Sequence, residues 1–336
     1  MTTTTSPVGL LLVNLGTPEA PEAPAVRRYL AQFLSDPRVV ELPRLIWLPL
    51  LYGVILNTRP AKSAVGYAAI WNRESNESPL KAFTRMQAEK LAALAEGGAL
   101  GVGAIHVEYA MRYGAPALST QIEALLAKGC ARILVLPLYP QYAASTTATA
   151  FDEIACVLRK LRRQPTLRFA APYFDDPAYI DALAQGLREG LSSLDFEPQV
   201  VLASFHGLPQ FQIDKGDPYK SQCETTARLL REATGMSEDR LRLSFQSRFG
   251  RAKWIEPYTA ETVVALAKQG VKRLAIVAPG FSADCLETIE ELGVEIRDLF
   301  LEAGGEKFAR IPCLNDSEAG MQLLAALARR ELAGWV

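Results

Sequence analysis

A chain of 336 residues is too long for one small core and suits two domains of ordinary size. Hydrophobic residues at 49% and charged residues at 22% are the mix of a soluble globular protein, and 36 basic against 37 acidic residues leave no surplus to neutralise phosphates, which excludes nucleic acid as the main partner. Five scattered cysteines, odd in number and without a CxxC pair, make neither a disulfide framework nor a zinc site and fit a reducing compartment.

The opening MTTTTSPVGLLLVNLG has no cationic start, and its apolar run, residues 8–13, is short; it predicts a strand and not a signal peptide. The longest apolar stretch follows, LIWLPLLYGVIL at 45–56. At helical rise it spans roughly 18 Å against the ~30 Å of a bilayer core, and Pro49 interrupts it, so it cannot cross a membrane. Two readings stay open: a buried helix, or an apolar lip that holds a greasy ligand or dips into a bilayer surface. His106, in GAIHVEYA, reads as a core histidine. The strand ARILVLPLYP runs into LPLYPQYAASTTATA, 136–150, which resembles a polar-edge or anion-binding loop, although by itself an ordinary turn is the simpler reading.

Further apolar runs follow, LRFAAPYF, QVVLASFHG, LRLSFQSRFG and RLAIVAPGF, with helical-period segments such as AYIDALAQGLREGL and AETVVALAKQG between them. Strand and helix in alternation predict parallel sheets with helices on both faces. The two halves also match. Arg112 pairs with Arg248, Gly129 with Gly270, Arg132 with Arg273, Pro172 with Pro312 and Asp176 with Asp316, at offsets of 136, 141, 141, 140 and 140 residues. The expectation is therefore an α/β protein of two similar Rossmann-like domains, 1–175 and 176–336, with the C-terminal helix closing the second. The first half is longer by about fifty residues, which places a lip insertion at about 30–85. Ligands of such sheets bind beyond the carboxyl ends of the strands.

Two constellations carry chemistry. His206 stands where a strand breaks into the Gly-Pro turn of SFHGLP, and its ordinary pKa suits proton transfer at neutral pH; a turn histidine is the plainer alternative. In FSADCLETIEELG, a helix would bring Asp284, Glu287 and Glu291 to one face with Glu290 adjoining. Acids so stacked suit a cation or a solvated helix start, and spacing alone leaves both open. Oxygen ligands with one imidazole hold a divalent ion loosely, as a site that must release its metal requires. No Walker A motif, G-x-G-x-x-G fingerprint or G-x-S-x-G elbow occurs.

Seven ordered motifs resemble the ferrochelatase family over essentially the whole chain: VNLGTPEAP (13–21), YAMRYG (109–114), LPLYPQYAASTT (136–147), SFHGLP (204–209), KGDPY (215–219), SFQSRFGRAKWIEPYT (244–259) and PGFSADCLETIEELG (279–293). The resemblance implies a lyase of chelatase fold, with a porphyrin cleft between two parallel-sheet domains. Its reaction would insert ferrous iron into protoporphyrin IX, the last step of haem synthesis. It implies that His206 accepts pyrrole protons or binds metal, that Glu287 works opposite it, shares the metal and is supported by Asp284, and that Arg112, Tyr113, Ser247, Trp254 and Phe281 line the substrate site. Arg59 and Lys62 resemble propionate-facing residues. Leu15 stands where some bacterial members place a tyrosine beneath the macrocycle, and Cys285 where animal members carry a second histidine. Nothing resembling the C-terminal cysteine run of cluster-bearing members follows Cys313, so no iron–sulfur cluster is expected and iron enters only as substrate. The expected location is cytoplasmic, with peripheral contact at the inner membrane face. Two alternatives remain, a chelatase for coproporphyrin or another tetrapyrrole, and a porphyrin or haem carrier without catalysis. A carrier has no need of His206 facing carboxylates, and a poly-acid ring gains little from the apolar lip.

Overall fold

The computed structural model describes residues 6–336; residues 1–5, where the stretch read as lacking a signal peptide begins, lie outside the described residues. The first sheet comprises β1 (Val8–Gly16), β2 (Ile105–Tyr113), β3 (Arg132–Pro137) and β4 (Thr166–Phe169), all parallel, in the order β2-β1-β3-β4. The second comprises β5 (Val200–His206), β6 (Leu241–Gln246), β7 (Arg273–Val277) and β8 (Lys307–Arg310), parallel and in the order β6-β5-β7-β8. The topology repeats strand for strand, as the offsets between the sequence halves require.

Parallel neighbours need a crossover, and helices supply it. Between β1 and β2 run α1 (Ala23–Leu34), α2 (Arg44–Leu50), α3 (Leu56–Ile70) and α4 (Pro79–Glu96). α5 (Leu118–Ala127) and α6 (Thr149–Leu158) serve β3 and β4, and α7 (Pro177–Ser192) leads to β5. The second half crosses from β5 to β6 with only α8 (Gln210–Asp214) and α9 (Tyr219–Thr234), and continues through α10 (Thr259–Lys268), α11 (Arg297–Glu302) and α12 (Glu318–Leu332). The insertion thus contributes helices to the first half. Each sheet has its own core: Leu11, Val13, Ile122, Ile133 and Ile154 among others in the first, Leu202, Val263, Ile276, Leu292 and Phe300 in the second. His106, expected in the core, lies half-buried on the edge strand β2.

The chain divides into two compact units. One holds the residues up to Leu138, Ala144–Ala171 and Met321–Val336; the other holds Tyr139–Ala143 and Pro172–Gly320. The end of the chain therefore departs from expectation, since most of α12 packs with the first unit and does not close the second. The tail explains why: Arg168 Nη1 donates to the Ala333 carbonyl at 3.1 Å, and its guanidinium lies 4.3 Å from the centre of the Trp335 ring.

The apolar stretch divides by face. Leu45 and Ile46 are 92% and 67% exposed, whereas Trp47, Leu51 and Leu56 are buried, and Trp47 Nε1 donates to the Leu34 carbonyl at 2.6 Å. The inner face is core, as a buried helix requires, and the outer face leaves apolar side chains exposed. α2 is carried into α3 by a π-wound turn, Leu51–Ile55. No helix among the described residues is long and apolar enough to cross a membrane.

Candidate active site

β5 is buried along its length except for its last residue, His206, which is half-buried at the carboxyl edge of the sheet. His206 Nδ1 lies 2.7 Å from the Gly207 carbonyl. A carbonyl only accepts, so in the neutral ring this contact selects the tautomer with the proton on Nδ1 and the lone pair on Nε2. Gly207 permits this turn, because a β-carbon there would stand 2.8 Å from the Gln246 carbonyl oxygen and 3.1 Å from Trp254 Cε3. The Trp254 ring lies 6.4 Å from the imidazole, centre to centre, and its buried Nε1 has no hydrogen-bond partner among the described residues.

The acidic segment differs from the expected α-helix. Glu287–Ile296 is π-wound over ten residues, a form that is rare and concentrated at functional sites. With about 4.4 residues per turn in such i→i+5 winding, a residue and the fourth after it nearly align, while the third is carried well round the axis. Glu287 and Glu291 therefore share a face and Glu290 leaves it. Asp284 precedes the segment and is tied to structural partners, Thr288 of the segment among them. Its carboxylate is buried and accepts from Arg310 Nη1 at 2.6 Å, Thr288 Oγ1 at 2.8 Å and Asn315 Nδ2 at 2.8 Å. The expected one-face cluster Asp284–Glu287–Glu291 is thus corrected to Glu287 and Glu291, with Asp284 as a buried structural anion.

Glu291 is the acid that β6 holds. The Ser247 backbone N–H donates to Oε1 at 2.7 Å and the Ser247 hydroxyl to Oε2 at 2.6 Å. Gln246 Nε2 donates to the Glu287 carbonyl at 2.9 Å and lies 3.4 Å from Glu291 Oε2, while its Oε1 accepts from Ser204 Oγ at 2.9 Å. Burial pushes the Glu291 carboxyl up from the ordinary carboxylate range; the Ser247 hydrogen bonds and the nearby His206 oppose this and Glu287 adds to it. Burial likewise keeps the Cys285 thiol well above its ordinary value, with Glu287 as the next cause. Among the described residues no group of three His, Cys, Asp or Glu side chains has the arrangement of a metal cage.

The other expected site residues fall into three groups. Trp254 flanks His206, and Phe281 packs half-buried against the second core. Arg112 and Tyr113 turn inward: Arg112 Nη2 donates to Asp36 Oδ2 at 2.6 Å and Nε to the Thr149 carbonyl at 2.8 Å, and the buried Tyr113 hydroxyl donates to the same Asp36 oxygen at 3.0 Å. Both are thus anchored within the first unit, with Arg112 Nη1 lying 3.6 Å from Glu153 Oε2. Leu15 is the half-buried residue at the end of β1, Arg59 is half-buried on α3 and Lys62 is exposed there. Gln246 was not singled out from the sequence, where it closes the alternating strand LRLSFQ.

A family model described as ferrochelatase matches residues 7–332. The ferrochelatase of Rhodopseudomonas palustris (strain TIE-1) is 58% identical over 330 residues, covering 98% of this chain and 94% of the relative. That of Rhizobium meliloti (strain 1021) is 56% identical over 329 residues, with 98% and 96% covered. The chain belongs to the ferrochelatase family. As a ferrochelatase-family member it is an enzyme of metal insertion into a porphyrin. Its fold is shared with more distant chelatases: SirB from Bacillus subtilis with Fe3+ superposes with a TM-score of 0.57 at 16% identity, covering 98% of this chain and 96% of that one. A multi-domain protein from Deinococcus radiodurans with structural similarity to chelatases gives 0.54 at 15% identity, over 96% of this chain and 55% of that one.

Proposed function

We propose that this ferrochelatase-family enzyme inserts ferrous iron into protoporphyrin IX to give haem, with His206 and the Glu287–Glu291 pair as its proton-accepting and iron-meeting groups. The observation that carries this reading is an imidazole with a free Nε2 at a sheet's carboxyl edge, in electrostatic range of a buried carboxylate. Insertion breaks two pyrrole N–H bonds. Each electron pair stays on nitrogen and binds the ion, so two protons must leave and nothing is oxidised. His206 Nε2 accepts one. The carboxylates accept the other and attract the cation, with two or three oxygen and nitrogen donors holding it weakly enough for transfer. Trp254 and Phe281 supply apolar wall. Iron is substrate here, and no resident cluster is assigned.

The outer lip, with Leu45 and Ile46 exposed on α2 and the basic Arg59 and Lys62 further along on α3, suits both the vinyl edge of protoporphyrin and an anionic lipid surface, which supports a peripheral membrane location. The test combines the protein with protoporphyrin IX and ferrous iron without oxygen. The porphyrin bands collapse to those of haem if the reading is right. Bound but metal-free porphyrin would make the protein a carrier, and a higher kcat/KM for coproporphyrin would move the substrate to a more acidic ring.

A further inference from the structure

Ser247 is a non-glycine residue with φ of +64°, in the left-handed region where an L side chain is strained. Glycine would take that conformation freely and would still present the backbone N–H to Glu291. What glycine lacks is the hydroxyl, and the Ser247 hydroxyl is committed: it donates to Glu291 Oε2 at 2.6 Å while its own N–H takes Oε1. The residue before it is equally committed. Gln246 is buried, joins the first carbonyl of the π-wound segment, and is itself oriented by Ser204, whose hydroxyl lies 2.9 Å from Thr259 Oγ1. The strand that carries both is fixed at its end, with the Phe245 N–H donating to the Pro257 carbonyl at 2.8 Å.

From this geometry we infer that Ser247 is a positioning residue that fixes Glu291, and with it the spacing of the Glu287–Glu291 pair, and that it does not bind the substrate. The inference rests on the reading of this site as the place of metal insertion. It replaces the substrate-lining role that the motif resemblance implies for Ser247, because both hydrogen-bond donors of the residue are committed to one carboxylate.

Three variants separate the possibilities. Ser247→Gly keeps the N–H and relieves the left-handed strain but removes the hydroxyl, so its Tm stays close to wild type. Its kcat for anaerobic ferrous insertion into protoporphyrin IX should fall by roughly ten- to a hundredfold, the worth of a hydrogen bond to a charged group, with the porphyrin KM within about twofold. Ser247→Asn, which tolerates the left-handed region and offers a donor, should recover part of kcat. The closing measurement is a double-mutant cycle with Glu291→Ala: if Ser247 acts through Glu291, adding Ser247→Gly to that variant costs nothing further. Additive losses would overturn the inference, as would full kcat in Ser247→Gly. A raised porphyrin KM with kcat intact would return Ser247 to the substrate. Failure of the wild-type protein to make haem would instead overturn the underlying reading of the site.

Discussion

The carboxyl ends of the two central strands are built alike and end differently. β1 and β5 are both buried except for one half-buried residue near the end, Leu15 in one and His206 in the other. Beside β1, the motif arginine Arg112 meets Asp36 at 2.6 Å, with Glu153 at 3.6 Å, and its charge is met by acids inside the unit. Beside β5, the matching stretch turns Ser247 onto Glu291, while Arg248 swings out to Glu261 at 3.3 Å on the surface. One repeat is closed upon itself and the other keeps an imidazole lone pair and a buried carboxylate in play. A duplicated fold thus supplies two sheet edges, and the difference between scaffold and reactive edge is a handful of side chains.

The comparison breaks most severely at its buried ion pairs. Asp284→Ala should lower stability by about 3–5 kcal/mol, since it strands the Arg310 guanidinium and the Asn315 amide, and Arg112→Ala should act similarly by freeing the buried Asp36. Thermal unfolding checks both; a Tm near wild type in Asp284→Ala, with turnover lost, would restore that residue to a direct role. Next in size, Glu287→Gln should impair insertion far more than Glu290→Gln with little change in Tm, because π winding keeps Glu287 beside Glu291 and removes Glu290. Equal losses in steady-state turnover would reduce the acids to a diffuse negative field.

The lip divides in the same manner. Trp47→Ser should cost roughly 3 kcal/mol or more through lost packing and the bond to the Leu34 carbonyl, whereas Leu45→Ser with Ile46→Ser should change stability by less than about 1 kcal/mol. The second pair should weaken porphyrin binding and co-sedimentation with anionic vesicles, and unchanged binding to both would leave the outer face without a role. The smallest effect concerns pH. Burial holds the Glu291 carboxyl above its ordinary value of 4.5, so its contribution is fully present at acid pH and is lost as pH rises through the folded value. Glu291→Gln should therefore match wild type in Tm near pH 4 and exceed it at neutral pH; a gain confined to acid pH would mean that the Ser247 hydrogen bonds outweigh burial.

Most of the fold was legible because buried parallel strands read as continuous apolar runs and the duplication shows in fixed offsets. His206 was legible as a lone imidazole at a strand end. Asp284 was misplaced because α-helical spacing was extended over a segment that winds as a π-helix, and because its partners Arg310 and Asn315 lie far along the chain. The contact of Arg112 and Tyr113 with Asp36 was not legible for a related reason: the motif names the two residues, but only the fold brings Asp36 to them. The destination of α12 depended on a tail contact between Arg168 and Trp335 that no periodicity records.

The most direct test of the central claim, that the edge of the second sheet is the reactive one, is His206→Ala followed anaerobically with protoporphyrin IX and ferrous iron. A general base contributes roughly 10²–10⁴-fold, so the variant should bind porphyrin with its usual spectral shift and leave it metal-free on the wild-type timescale. Haem formation at more than about a tenth of the wild-type rate, well outside that range, would contradict the assignment and make His206 a residue of the turn alone.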